Sequence, residues 1–369
     1  MRVLMSGGGT AGHIYPALTV AEAINDGGRD GVVFVGTPEG LEARLVPEAG
    51  IRFLGVRSRG FDRSKPLTMV TGAVTVALSF IRALGIMRRE KPDVVLGFGG
   101  YVSLPVGFAA VATRTPLILA EQNSVPGLAN RVLSRWARAV AVTYEGSARY
   151  LRRPERAVLT GNPVRETILE ADRGRGREAL GLAPDALVLL VFGGSRGARH
   201  INEATVALRE RLQRHDRLQV VHVAGRIEAA SVRNALEATG GEDDGYRVFE
   251  YIDDMGSAIA AADVVVARAG ATSIAEITAI GRAAVLVPYP YATDDHQTLN
   301  ARAVAVGGGA LVVPDSELDG PAFAEAVDRL LEDPALRAEM AAASASLGRR
   351  DAAQRLVALA REAAGRDGD

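Results

Sequence analysis

The chain has no cysteine, which excludes disulfides, thiolate nucleophiles and cysteine-ligated metals and fits a reducing compartment. It has almost no net charge: 43 Lys and Arg against 44 Asp and Glu leave a formal -1, so no nucleic-acid partner is expected from bulk attraction. It lacks a clean apolar run of spanning length. The nearest, "PLTMVTGAVTVALSFIRALGIM" (Pro66 to Met87), carries Arg82, two glycines and several hydroxyls, and is read as a helix with neighbouring loop. A secretory signal is also missing, because "MRVLMSGGG" has a very short apolar stretch before its glycines; the chain is expected to stay in the cytosol.

What is present describes a globular protein. At 369 residues, with 48% hydrophobic residues and 41 glycines, the length exceeds one ordinary core and predicts two domains. Apolar strand-like runs alternate with helical stretches: "RVLM", "GVVFVG", "DVVLGFG", "PLILA" and "RAVAVT", then "LVLLVFGG", "LQVVHVAG", "YRVFEYI", "DVVVARAG" and "AAVLVPYP". Continuous apolar strands bounded by glycine read as parallel sheets covered on both faces, giving an α/β, doubly wound class. The series restarts at "LVLLVFGGSRGARHIN", with a hinge expected near Asn162 and Pro163. From about Phe323 onward the composition reads as helices fraying into "GRDGD".

The stretch "SGGGTAGHIYPAL" formally matches G-x-G-x-x-G through Gly7, Gly9 and Gly12. A dinucleotide site also needs an acidic residue at the end of the second strand, to hold the ribose. That strand ends in Gly36 and Thr37, with Glu39 in the next turn, so the nicotinamide reading is weak. His13 follows the third glycine; it is either satisfied by a backbone carbonyl or placed to take a proton from an attacking hydroxyl. "GGSRGARHIN" offers Ser195, Arg196 and Arg199 to phosphate, or is a plain turn with solvated arginines. "RAGATSIAEI" offers backbone amides and Thr272 to a helix cap or a diphosphate, and Glu276 as an exposed carboxylate for ribose hydroxyls or a solvated helix residue. Three such loops favour a nucleotide diphosphate held in an interdomain cleft.

"GGGTAGHIYPAL", "GFGGYVSLPVGFAA", "EQNSVPGLANR", "GNPVR", "GGSRGAR", "YIDDM", "RAGATSIAEI" and "DDHQTLNA" together resemble, in order and spacing, the MurG family of peptidoglycan-synthesis glycosyltransferases. The resemblance implies a GT-B fold, two Rossmann-like domains facing a cleft: 1–162 for the acceptor and membrane side, 163–345 for the UDP-sugar, and 346–369 as a helix returning to the first domain. It implies transfer of N-acetylglucosamine, with inversion, from UDP-N-acetylglucosamine to the 4-hydroxyl of undecaprenyl-diphospho-muramoyl-pentapeptide. A UDP-sugar 2-epimerase or another lipid glycosyltransferase is the alternative sharing the fold.

By matching motif, Thr10, Ala11, Gly12 and Asn123 line the donor-sugar side, while Arg165 and Ser195 meet donor phosphates or sugar. Ile252 meets uracil, Ala271 and Thr272 the diphosphate, Glu276 the ribose, and His296 and Gln297 the N-acetylglucosamine hydroxyls. The chain departs from the family pattern at Ala11, Leu104, Ala120 and Arg196. His13 is the candidate base and Glu121 its rival, through a raised pKa in a partly desolvated cleft.

No cofactor and no metal is expected, because the one D-x-D, Asp367 to Asp369, lies in the tail. Arg63, Lys65, Arg88, Arg89 and Lys91 flank the apolar 67–87 segment and suit an anionic membrane surface; the other reading is an internal helix with solvated ends. The family then implies peripheral attachment at the cytoplasmic face of the cell membrane, with other wall-synthesis enzymes as partner candidates.

Overall fold

The structure is a computed structural model. It describes residues 1–25, 31–58, 66–194, 197–243 and 245–365, the side chains of 66–74 and 76 excepted. Two compact units divide the chain, Met1–Arg165 with Arg350–Asp369, and Glu166–Arg349. The first holds a seven-stranded sheet of β1 (Arg2–Ser6), β2 (Gly31–Gly36), β3 (Arg52–Gly55), β4 (Val94–Gly97), β5 (Leu117–Glu121), β6 (Ala139–Val142) and β7 (Ala157–Leu159), in the order β3-β2-β1-β4-β5-β6-β7. The second holds a six-stranded sheet of β8 (Leu187–Phe192), β9 (Leu218–Val223), β10 (Tyr246–Phe249), β11 (Val264–Arg268), β12 (Ala283–Val287) and β13 (Ala310–Val312), in the order β10-β9-β8-β11-β12-β13. Their pairings are all parallel.

Continuous apolar strands are needed because each sheet is covered twice, and the two-residue period of a strand sends alternate side chains to opposite layers. In β1, Val3 and Met5 join the apolar layer with Ile14, Val20 and Ile24, while Leu4 joins the opposite layer with Val95, Val106 and Leu119. In β8, Leu189 and Val191 face one layer and Val188 and Leu190 the other. Each sheet reverses direction once, between β1 and β4 and between β8 and β11. Crevices outside the carboxyl ends of strands at such reversals are where doubly wound sheets bind ligands.

Two features fix the ends of these units. The last helix, Ala352–Ala363, buries Ala353, Leu356, Val357, Ala360 and Ala363 in the layer that contains Ile14 and Ala17 of the first unit. In the second unit, Asp263 just ahead of β11 accepts from Val188 N at 2.9 Å and pairs with Arg173 at 2.6 Å and Arg177 at 3.1 Å. Asp263, Arg173 and Arg177 line a polar cavity of about 370 Å³ with Asp185, Arg217 and Arg337. It sits at the amino edge of the sheet, opposite the carboxyl edge that carries the glycine loops.

Candidate active site

In the first unit the β1 exit loop and the β4 exit loop interlock. A Cβ on Gly100, whose φ is +80°, would lie 2.5 Å from the Gly8 carbonyl oxygen, so the approach of the two backbones requires glycine there. The helix Ala11–Asn25 starts at once, and His13 in its first turn places Nδ1 3.0 Å from Gly8 O and 3.3 Å from Thr10 Oγ1. A carbonyl can only accept, so Nδ1 carries the proton in the neutral ring and Nε2 keeps its lone pair. Nε2 lies beside Gly99, 3.2 Å from where a Cβ would stand. His13 is thus both held by a backbone carbonyl and left with a basic nitrogen, so the two alternatives posed by the sequence are compatible. Pro16 inside the helix has no N–H, which leaves the Gly12 carbonyl without its helical donor; Ala11 and Gly12 are half-buried and Thr10 is exposed.

A carboxylate overlooked in the sequence organises this loop. Glu42, fully buried, accepts from Thr37 N at 2.9 Å, from Thr37 Oγ1, and from Gly9 N at 3.4 Å. A Cβ on Gly8 would fall on its Oε1, so the second glycine of the triplet makes room for this carboxylate. With one loop amide already turned to an anion of the protein itself, the loop is a poor dinucleotide-diphosphate cradle. The sequence signal is present in "TPEGLEA", where the acid after the buried strand is Glu42 as well as Glu39.

Glu121 ends β5 at 4% exposure. Its Oε1 accepts from Asn123 N at 3.0 Å and Asn123 Nδ2 at 3.5 Å, and its Oε2 from Gly127 N at 3.0 Å and Asn130 Nδ2 at 2.9 Å. Four donors occupy both oxygens, which makes this side chain the anchor of the loop bearing Asn123. Arg165 stacks over the ring of Tyr15, 4.9 Å from its centroid, next to the helix that carries His13.

In the second unit, Ser195 and Arg196 lie outside the described residues. β11 ends at Arg268, and after Ala269 the helix Ala271–Ile280 begins with Gly270 at its N-cap and no side-chain cap. Its first-turn amides are therefore open to an anion. Thr272 Oγ1, on that first turn, is buried without a hydrogen-bond partner among the described residues, an arrangement folded proteins avoid unless a ligand or water completes it.

Glu276 differs from expectation. It is only 7% exposed, because the helix is buried on more than one face, with Ala271, Ile274, Ile277, Thr278 and Ala279 also buried. Gln297, at the start of the helix His296–Val306, accepts from Tyr289 N at 3.0 Å through Oε1, and His296 Nδ1 lies 2.7 Å from Thr293 O. Both residues thus brace the β12 exit loop. Ile252 is half-buried against the layer formed by Val221, Val223 and Ile259, beside Tyr251, whose ring stacks with Arg226 at 4.7 Å.

Among the described residues, His215, Asp328 and Glu332 bring donor atoms within 4.8 Å of one another. Asp328 is already ion-paired with Arg211, whose cation opposes a metal at that place.

Comparison with known proteins decides the family. Residues 3–142 match the glycosyltransferase family 28 N-terminal domain, and residues 188–356 match the C-terminal domain of the same family. A transferase of Halothermothrix orenii named UDP-N-acetylglucosamine--N-acetylmuramyl-(pentapeptide) pyrophosphoryl-undecaprenol N-acetylglucosamine transferase is 39% identical over 369 residues, 99% of each chain. The chain belongs to glycosyltransferase family 28.

The crystal structure of Acinetobacter baumannii MurG resembles this family 28 enzyme with a TM-score of 0.79 at 29% identity, covering 98% of this chain and 99% of that one. The two parallel-sheet units thus have the GT-B fold. A structure described as a putative UDP-N-acetylglucosamine 2-epimerase from Listeria monocytogenes has a TM-score of 0.70 at 16% identity over 98% of this chain and 96% of that one, a likeness of fold alone. Within the family 28 enzyme, Thr10, Ala11, Gly12, His13, Glu121 and Asn123 gather on strand exits of the first sheet. Ile252, Ala271, Thr272, Glu276, His296 and Gln297 gather on strand exits and following helices of the second.

Proposed function

We propose that this enzyme transfers N-acetylglucosamine from UDP-N-acetylglucosamine to the 4-hydroxyl of the muramoyl residue in undecaprenyl-diphospho-muramoyl-pentapeptide, releasing UDP. The observation that carries the reading is the full-length relation, at 39% identity, to a transferase of that name. His13 Nε2 takes the proton of the acceptor hydroxyl as its oxygen bonds to the anomeric carbon; the bond from that carbon to the diphosphate oxygen breaks, with inversion, and the electron pair leaves on UDP. The Ala271 and Thr272 amides and the unpartnered Thr272 hydroxyl stabilise the charge gathering on the diphosphate, with Ser195 and Arg165 as further contacts. Ile252 meets the uracil, Glu276 the ribose, and His296 and Gln297 the sugar hydroxyls, while Thr10, Ala11, Gly12 and Asn123 line the donor-sugar side. Glu121 holds the Asn123 loop, so the base role goes to His13. No cofactor or metal enters these steps.

A lipid-linked acceptor also calls for attachment to the cytoplasmic leaflet, where the nucleotide donor is available. No helix among the described residues is long and apolar enough to cross a membrane. The helix Pro66–Glu90 carries Leu78 and Ile81, each 64% exposed, and exposed Arg82, Arg88 and Arg89, which suits peripheral binding to anionic lipid. Arg63 and Lys65 lie outside the described residues. Contacts with other wall-synthesis enzymes belong to the same proposal.

The test measures UDP released from UDP-N-acetylglucosamine with and without a lipid-linked muramoyl-pentapeptide. Release should depend on the acceptor, and His13→Ala should lower kcat by about 10²–10⁴-fold while UDP affinity stays near that of the parent. Acceptor-independent release would overturn the reaction, and a His13→Ala enzyme within tenfold of the parent would remove His13 as the base.

A further inference from the structure

An ion-paired relay behind the second glycine-loop cluster is used by none of the roles above. Arg268, at the end of β11, sits 2.5 Å from Asp315 Oδ1 and donates to the Pro288 carbonyl at 3.1 Å, with its guanidinium 5.6 Å from the centre of the Tyr289 ring. Asp315 Oδ2 lies 2.8 Å from His200 Nδ1, and His200 Nε2 lies 3.2 Å from Asp319 Oδ2. His200 belongs to the helix Arg199–Ala207 after β8, and its partner Asp315 is 115 residues away. The Asp315 side chain is 15% exposed and that of Arg268 11%, whereas Asp319 is 82% exposed.

Both ring nitrogens of His200 face carboxylate oxygens. A neutral imidazole has one N–H and one lone pair, so only the imidazolium can donate to both. The hydrogen bond with Asp315 holds the His200 pKa above the ordinary histidine range, against burial, which lowers it. For Asp315, burial raises its pKa, but the bonds to His200 and Arg268 outweigh this and hold it below the ordinary carboxylate range. The charged groups facing His200 are therefore Asp315 and Asp319, with Arg268 behind Asp315; on its own helix Arg199 is paired with Glu203 at 2.7 Å.

We infer that His200, acting through Asp315 and Arg268, is a positioning residue for the donor sugar. Arg268 holds both the Pro288 carbonyl and the Tyr289 ring, and the next link is the Tyr289 N–H to Gln297 Oε1 bond. The imidazolium fixes Asp315, Asp315 fixes Arg268, and Arg268 fixes the β12 exit loop on which Gln297 is braced. When His200 loses its proton, one carboxylate faces a lone pair and the relay loosens. The effect is read at the sugar moiety, because the chain of contacts ends on Gln297, while uracil, ribose and diphosphate are assigned to other residues. The inference rests on the donor-site reading above.

Calorimetry of the full-length protein with UDP-N-acetylglucosamine and with UDP, from pH 6 to pH 9, tests it, together with the His200 ring-proton NMR titration. Sugar-nucleotide affinity should fall about three- to tenfold as pH rises through the His200 pKa, the scale of one lost hydrogen bond, while UDP affinity follows a shallower curve. His200→Gln should show the weakened affinity at every pH, and His200→Arg, which keeps the charge, should retain tight binding to the alkaline end. Asp315→Asn should return the His200 titration toward the ordinary range. A parent protein that binds no UDP-N-acetylglucosamine sinks the donor reading, whereas a His200→Gln protein with the parent's pH profile sinks the relay alone.

Discussion

Three histidines carry the same ring in three electrical settings. His13 has one nitrogen on a carbonyl and the other without a bond among the described residues, and His200 is held between carboxylates. His222 is fully buried, with Nε2 3.0 Å from Asn202 Oδ1 and Nδ1 2.8 Å from the Tyr246 hydroxyl. Asn202 also donates to Ala224 O at 2.9 Å, which fixes its amide oxygen as the acceptor, so His222 Nε2–H donates and Nδ1 accepts from Tyr246. Burial pushes the His222 pKa down to about 3.

The folded chain therefore refuses a proton that the unfolded chain takes up below pH 6.5. The stability contributed by neutral His222 is complete above that value and declines toward pH 3, at about 1.4 kcal/mol per pH unit. Chemical denaturation at a series of pH values should show that slope, and His222→Gln should remove its share; an unchanged slope would refute the assignment. His13 was legible because its setting is local, a ring directly after a glycine turn. His200 and His222 were not, because their partners lie 115, 24 and 20 residues away, and Glu42 was passed over because nothing in sequence shows that its side chain folds back under Gly8.

At the scale of elements, ten of the thirteen strands among the described residues correspond to the apolar runs visible in the sequence, and the other three, β3, β7 and β13, are all edge strands. Edge strands are short and partly solvated, so they lack the continuous apolar signal of a strand covered on both faces; Arg52 and Val158 face solvent in β3 and β7. The helix after Gly270 was legible from its turn, but its buried face was not, since alanine and isoleucine surround Glu276 on every side of the helical wheel. The last helix makes the opposite case. Its apolar stripe is plain in "AAQRLVALAREA", yet no local rule says which layer the stripe covers. Leu356 is 1% exposed in the first unit's core, and Leu356→Ala should cost about 2–5 kcal/mol. A denaturant titration that leaves the midpoint in place would refute that packing.

For the whole molecule, the near-zero net charge directs attention to local rather than global electrostatics. The membrane attachment proposed above then rests on one helix, whose cations should act within a Debye length of the lipid surface. Sedimentation with vesicles of phosphatidylglycerol should retain the protein at low salt and release it at high salt. Reversal of Arg88 and Arg89 together to glutamate should weaken retention by about tenfold or more. If the parent protein ignores these vesicles, or if the reversed protein acts on lipid-linked acceptor unchanged, peripheral attachment through this helix is wrong.

The sequence by itself determined the α/β class, the tandem repetition and the places of the glycine turns, because strand burial and turn chemistry act over a few neighbouring residues. Eight ordered motifs also carried the family. Tertiary structure alone decided which side chains stand opposite one another: Glu42 beneath Gly8, a buried Glu276, and Asp315 between Arg268 and His200. Those pairings depend on the register of parallel strands and on long crossovers, and residues with no local relationship meet only after the sheets have closed.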